Sequence, residues 1–140
     1  MSTLHRLFFE ISECNCQLQS GVAPFDHSLL ILLKKLLDEQ KETLDKLLPQ
    51  LGSEEIELEK VKEFISIVYH DHEVASPIFH SWKRANKWMK LPSEEEAERL
   101  TPVMEKMKRH LEEAAMELEK IYGSENIKYV IPSFYIPIIR

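Results

Sequence analysis

Residues 101–123 read TPVMEKMKRHLEEAAMELEKIYG, and they decide the fold class of this chain. Their apolar residues recur every three or four positions, the spacing that places side chains on one face of an α-helix. This stripe consists of Met104, Met107, Leu111, Ala114, Leu118 and Ile121. The spacing predicts a long amphipathic helix that buries the stripe against other helices and ends at Gly123.

The same spacing of apolar side chains recurs in three earlier parts of the chain. These parts are residues 3–19, 26–48 and 53–76. Asp26 and Ser53 are good N-cap residues for the second and third helices, because their side-chain oxygens can accept hydrogen bonds from free backbone N–H groups. Pro49 and Gly52 are expected to close the second helix.

The third helix is expected to end at Pro77, because a proline in a helix interior removes a hydrogen bond and clashes with the preceding turn. A shorter helix over residues 78–90 would follow it. Ser93 and Glu96 have the spacing of a capping box and predict the start of the last helix. The sequence therefore predicts an all-α fold, an up-and-down bundle of four principal helices plus one or two short helices.

The last fourteen residues, 127–140, differ from the rest of the chain. They include Pro132 and Pro137 and show no helical period, so we expect an extended apolar tail with a short strand near residues 128–131. This tail would follow a bundle domain at residues 1–126. Burial stabilises large apolar side chains by about 1.5–3 kcal/mol each, so the tail must pack on its own bundle or on another molecule, including a tail-exchanging homodimer. The candidate contact residues are Ile131, Phe134, Tyr135, Ile136, Ile138 and Ile139.

A second candidate surface is the basic segment, residues 78–91, which reads IFHSWKRANKWMKL. It carries four positive charges and no acid, although the whole chain has a net charge of −6. The segment could be a short core helix with solvated lysines, a docking helix for an acidic partner, or a site where indole rings stack on single-stranded nucleic acid. Its candidate binding residues are Trp82, Lys83, Arg84, Lys87 and Trp88.

Histidines on several predicted helices suggest an alternative, because bundle metal sites are built from side chains on facing helices. Asp26-His27 opens one helix, His70-Asp71-His72-Glu73 lies in another, and His110-Leu111-Glu112-Glu113 lies in the last. This arrangement loosely resembles hemerythrin-like bundles, and the resemblance implies a metal ion held by candidates among His70, His72, Glu73 and His110. Those proteins place a glutamate four residues after a histidine, whereas Val74, Ser76 and Ala114 stand there in this chain.

The remaining features disfavour several classes of protein. With 24 acidic and 18 basic residues, the chain is not suited to general duplex DNA binding. Cys14 and Cys16 lie two apart on a helix and cannot pair, which is typical of a reduced, cytoplasmic protein. No apolar run reaches the roughly 18 residues of a membrane span, and the N-terminal residues are not typical of a signal peptide.

The sequence contains no pattern that defines an enzyme. Its three glycines are too far apart for a phosphate-binding loop, and no serine, histidine and acid are arranged as a nucleophile with its base. We therefore expect a non-enzymatic intracellular protein-interaction module, a subunit or adaptor of an assembly, without a cofactor. The alternatives are the histidine-based metal-binding bundle and a small nucleic-acid-associated subunit.

Overall fold

The structure, a computed structural model, describes residues 2–134 of the chain. Its helices are α1 (Thr3–Val22), α2 (Ser28–Leu51), α3 (Leu58–Met89), α4 (Glu94–Tyr122) and α5 (Ser124–Val130), followed by a 3₁₀ turn at Pro132–Phe134. Short connections join the first four helices into an up-and-down bundle in which α1 packs against α2 and α4, and α3 packs against the same two helices. The predicted all-α bundle is confirmed, and no strand occurs within residues 2–134.

The apolar stripes of the helices meet in one core. The predicted α1 face, which includes Leu4, Phe8 and Ile11, is buried almost completely. The α4 stripe is buried from Met104 to Leu118, but the prediction is wrong for Ile121, whose side chain is 51% exposed. No helix in the described part of the chain is long and apolar enough to cross a bilayer.

Pro77 does not break α3, which continues through it as one helix of 32 residues. The proline lies on the exposed side of the helix, where water can replace the hydrogen bond that its missing N–H would have made. On the opposite side, Ala75 and Phe79 belong to one uninterrupted buried stripe. The predicted division at Pro77 is therefore wrong, because packing of this stripe outweighs the loss of one solvated hydrogen bond.

Two predicted helix starts and one predicted capping box are also corrected. His27 rather than Asp26 is the N-cap of α2, and its Nδ1 accepts a hydrogen bond from the Leu29 backbone N–H at 3.1 Å. Ser53 lies in the loop before α3, where its hydroxyl bonds backbone carbonyls, and Glu57 occupies the N-cap position. Ser93 is the N-cap residue of α4 but forms no capping box, because its hydroxyl donates to the Asn86 side-chain oxygen instead.

A buried polar network connects the first three helices. The Asn15 amide nitrogen donates to the Leu37 carbonyl oxygen at 3.0 Å and to Gln40 Oε1 at 2.9 Å. The Gln40 amide nitrogen then donates to the Val68 carbonyl oxygen at 3.1 Å. Because buried polar groups need these partners, the network fixes the relative positions of α1, α2 and α3 along the bundle.

The beginning of the C-terminal tail is helical, which corrects the predicted extended shape and strand. α5 follows a turn at Gly123, whose φ of 85° is in the left-handed region. Ile127 and Ile131 are buried, and the Phe134 ring packs edge-on against Tyr69 with a centroid distance of 4.8 Å. Residues 124–134 therefore pack on α3 and α4 of their own bundle, which gives α5 the long-range contacts that a short helix requires.

The other tail residues lie outside the described part of the chain. They are Tyr135, Ile136, Ile138 and Ile139. The division of the chain at residue 126 stays a prediction, although α5 extends across it.

Candidate functional site

The most exposed aromatic side chain described in the structure lies at the C-terminal end of α3. Trp88 is 89% exposed, and Met89 beside it is 65% exposed. Arg84 lies one helical turn before Trp88, Lys87 and Lys90 flank these two residues in the chain, and all three cations are also exposed. We call these five residues the α3 tip.

The helix geometry explains why Trp88 points away from the bundle. Trp82 and Asn86 are one turn apart, and both face the core. Trp88 follows Asn86 by two positions, which is about 200° around the helix, so the same orientation that buries Asn86 exposes Trp88.

The connection after the α3 tip is fixed by hydrogen bonds. The buried Asn86 donates its amide N–H to the Trp82 carbonyl oxygen at 2.8 Å and accepts the Ser93 hydroxyl. The Leu91 backbone N–H donates to the Asn86 carbonyl oxygen at 3.1 Å, and Lys90 ends α3 in the left-handed conformation. The exposed side chains therefore extend from a well-anchored helix end. Sequence reasoning missed this role of Asn86, although a polar residue one helical turn after Trp82, and so on the same face of a helix, was the available signal.

The α3 tip is locally positive. Lys83, one turn before Lys87, pairs with Glu98 of α4 at 3.7 Å. Within residues 2–134, no carboxylate lies within 4.0 Å of the charged groups of Arg84, Lys87 or Lys90. The negative end of a helix dipole is equivalent to about half an elementary charge, so it offsets only part of these three cations.

The structure divides the predicted binding residues of the basic segment into two groups. Trp82 is completely buried, with its ring centroid 5.9 Å from that of Phe79 and 6.5 Å from that of Phe25. Its prediction as a contact residue is corrected, because no part of its side chain is accessible to a partner. Arg84, Lys87 and Trp88 remain on the surface, and Lys83 is partly covered.

The predicted metal candidates do not assemble into a site. His70 is exposed, whereas His72 is buried against the Phe134 ring at a centroid distance of 6.0 Å. Nδ1 of His110 lies 4.0 Å from the Glu113 carboxylate of the same helix. Across the described chain, no three side chains of histidine, cysteine, aspartate or glutamate are close enough to hold one metal ion. The residues therefore do not fit a carboxylate–histidine centre of the hemerythrin kind.

His72 instead acts as a neutral core residue. Burial, together with the nearby Lys108 and His80, lowers its pKa to about 4. An uncharged imidazole can pack against an aromatic ring without the large penalty of a buried charge.

A groove of about 570 Å³ lies between the end of α1 and the beginning of α2. Three of its polar lining groups are already engaged within the chain: Gln19 donates to Asp38 at 2.6 Å, and the Lys34 ammonium donates to the Phe25 carbonyl oxygen at 2.8 Å. Cys16 is exposed on the same groove, but no histidine among its lining residues could activate the thiol. The groove therefore offers less for recognition than the α3 tip.

Comparisons with protein families, with characterised proteins and with solved structures found no match to this chain.

Proposed function

We propose that this protein is a non-enzymatic interaction module, a subunit or adaptor of an assembly, that docks another protein on its α3 tip. The observation that carries the proposal is the 89% exposure of Trp88 beside cations that have no acidic partner in the described chain. A large aromatic side chain fully in water is uncommon, since tryptophan is highly buried on average. Tryptophan and arginine are also among the residues that most often dominate binding energy at interfaces.

The expected energy of the contact follows from the size of the indole. A tryptophan side chain buries about 150–250 Å², which at about 25 cal/mol per Å² gives a gross gain of about 4–6 kcal/mol. Part of this gain offsets the entropy lost on association, so the remainder must come from neighbouring contacts. Met89 extends the apolar area next to Trp88.

The charges of the α3 tip specify the chemistry of the partner. Arg84, Lys87 and Lys90 favour a surface with an apolar pocket and an acidic rim. Charge complementarity of this kind raises the association rate and makes binding sensitive to salt. Cytoplasmic residence belongs to the same proposal and is supported by the free thiols of Cys14 and Cys16.

The proposal is tested by comparing affinity capture with the unchanged protein and with Trp88→Ala and Lys87→Glu. The matched control is Tyr129→Ala, because Tyr129 is an aromatic residue on α5 that is 79% exposed. We expect one set of proteins to be lost with both tip variants, to be retained by the control, and to be released by salt. For a purified member of this set, Trp88→Ala should weaken binding by about 30-fold, equivalent to about 2 kcal/mol.

Two results would contradict the proposal. Trp88→Ala could retain the same proteins with the same affinity. The docking site would then lie outside the α3 tip. Alternatively, nuclease treatment could release the captured material while labelled single-stranded RNA binds the purified protein, which would assign the α3 tip to nucleic acid.

A further inference from the structure

Asp71 lies in the middle of α3 and is only 1% exposed. Neither of its carboxylate oxygens has a hydrogen-bond donor within residues 2–134. An ionised carboxylate without donors or an opposite charge is among the most unfavourable groups that a protein can bury. The site therefore requires either a compensating cation or a neutral carboxylic acid.

The charged group that acts on Asp71 is the Glu39 carboxylate of α2, which is of like sign. Within residues 2–134, neither oxygen of Asp71 forms an ion pair or a hydrogen bond with a lysine, arginine or histidine. His72 is adjacent in sequence, but burial lowers its pKa to about 4, so it carries no positive charge at neutral pH. The site therefore contains two carboxyl groups, one of them buried, and no cation to neutralise them.

The Gln40 side chain does not supply the missing donor, because neither Asp71 oxygen accepts a hydrogen bond from it. Its amide nitrogen donates to the Val68 carbonyl oxygen, and its oxygen accepts from Asn15. Burial, together with the neighbouring Glu39 carboxylate, raises the pKa of Asp71 to about 8. Geometry and electrostatics thus both favour the neutral acid.

We propose that Asp71 keeps its proton in the folded protein at neutral pH, and that the α2–α3 interface is a proton-operated switch. In the protonated state, the Asp71 O–H donates toward the Glu39 carboxylate and joins the two helices. When the proton leaves to water, two negative charges face each other across the interface and the helices lose part of their mutual stabilisation. This inference does not depend on the proposed docking function.

The direction of the pH dependence follows from comparing folded and unfolded chains. An aspartate in an unfolded chain has a pKa of about 3.9, whereas that of folded Asp71 is about 8. Between these values the folded state holds a proton that the unfolded state has released. The stabilisation is therefore complete below about pH 4, decreases as the pH rises, and is lost through about pH 8. In this range the unfolding constant should rise by up to about tenfold per pH unit.

The first test is urea unfolding, followed by circular dichroism, of the unchanged protein and of Asp71→Asn at several pH values from 5 to 9. Other titrating groups are common to both proteins, so the difference between them reports Asp71. The quantity compared is the unfolding constant of the unchanged protein divided by that of Asp71→Asn. We expect this ratio to rise by close to tenfold per pH unit up to neutrality and to become constant in alkaline solution. Parallel pH profiles would overturn the proposal.

A second measurement decides the question even if Asp71→Asn does not fold. Infrared spectra of the folded protein at pH 7 should contain the carbonyl band of a protonated carboxylic acid, and the band should disappear as the solution becomes alkaline. Glu39→Gln should shift this disappearance to lower pH, whereas Glu42→Gln, at an exposed position on the same helix, should leave it unchanged.

Absence of the carbonyl band at neutral pH would refute the assignment of the proton. A large stabilisation by Mg²⁺ or Ca²⁺ that is lost in Glu39→Gln would also refute it, since the two carboxyl groups would then be ionised ligands of a cation.

Discussion

Alanine substitutions of the two tryptophans of α3 should differ by several kcal/mol in their effect on the free energy of unfolding, although the residues are six positions apart. Trp82 is fully buried, and truncation of a core tryptophan costs about 3–5 kcal/mol. Its indole N–H has no hydrogen-bond partner within residues 2–134, so removing it also relieves an unpaired donor. We therefore expect Trp82→Ala to cost about 3 kcal/mol, at the lower end of this range.

Trp88→Ala should change the free energy of unfolding by no more than about 0.5 kcal/mol, because the side chain is almost completely in water. Urea unfolding of both variants, followed by circular dichroism, measures the two values. Iodide quenching adds an independent readout: it should quench the fluorescence of Trp88 strongly and that of Trp82 weakly, each observed in the variant that lacks the other tryptophan.

The reasoning would be refuted if Trp88→Ala destabilised the protein by more than about 1 kcal/mol, or if Trp82→Ala had no measurable effect. The first result would mean that Trp88 packs on the bundle. A loss of partner binding in Trp88→Ala could then result from damage to the fold and not from loss of a docking contact.

Three further substitutions test other contacts by the same unfolding measurement. Gln40→Ala removes two buried hydrogen bonds and should cost about 2 kcal/mol. The control Gln50→Ala, at an exposed position on the same helix, should cost less than about 0.5 kcal/mol. Equal costs would contradict a structural role for the network of Asn15 and Gln40. Phe134→Ala should cost about 1–2 kcal/mol because it removes a partly buried ring and its contact with Tyr69, and no loss would mean that the segment does not pack on its own bundle. Tyr122→Phe removes the 2.6 Å hydrogen bond to a loop carbonyl oxygen and should cost about 1 kcal/mol, while an unchanged midpoint would show that water replaces this bond without loss.

The candidate site was visible in the sequence only in outline. The basic segment stood out by composition, and Arg84, Lys87 and Trp88 are on the surface as a contact site requires. Trp82 and Trp88 are separated by about 120° around a helix, so both could be buried only with neighbours on two sides of it. Sequence reasoning could not decide which of them is covered, because that depends on packing between distant segments, such as that of the Phe25 ring beside Trp82.

The two largest corrections have a common origin in packing between distant segments. Pro77 normally ends a helix, and here a long buried stripe carries α3 through it. The segment after Gly123 lacks helical periodicity, but Ile127 and Ile131 are buried where this segment packs on α3 and α4. These tertiary contacts stabilise a helix that is too short to be stable alone. Neither effect is encoded within the few residues that a local pattern covers.

The sequence by itself determined the number, type and inward faces of the principal helices, because helical hydrogen bonds are local and the apolar period is written into each segment. Only the tertiary structure decided which polar groups became buried, such as Asp71, and which apolar side chains stayed in water, such as Trp88. Burial is a property of the space between elements, and it depends on neighbours that are far away in the chain. The candidate docking surface and the candidate proton switch are both defined by burial, so both follow from the folded arrangement.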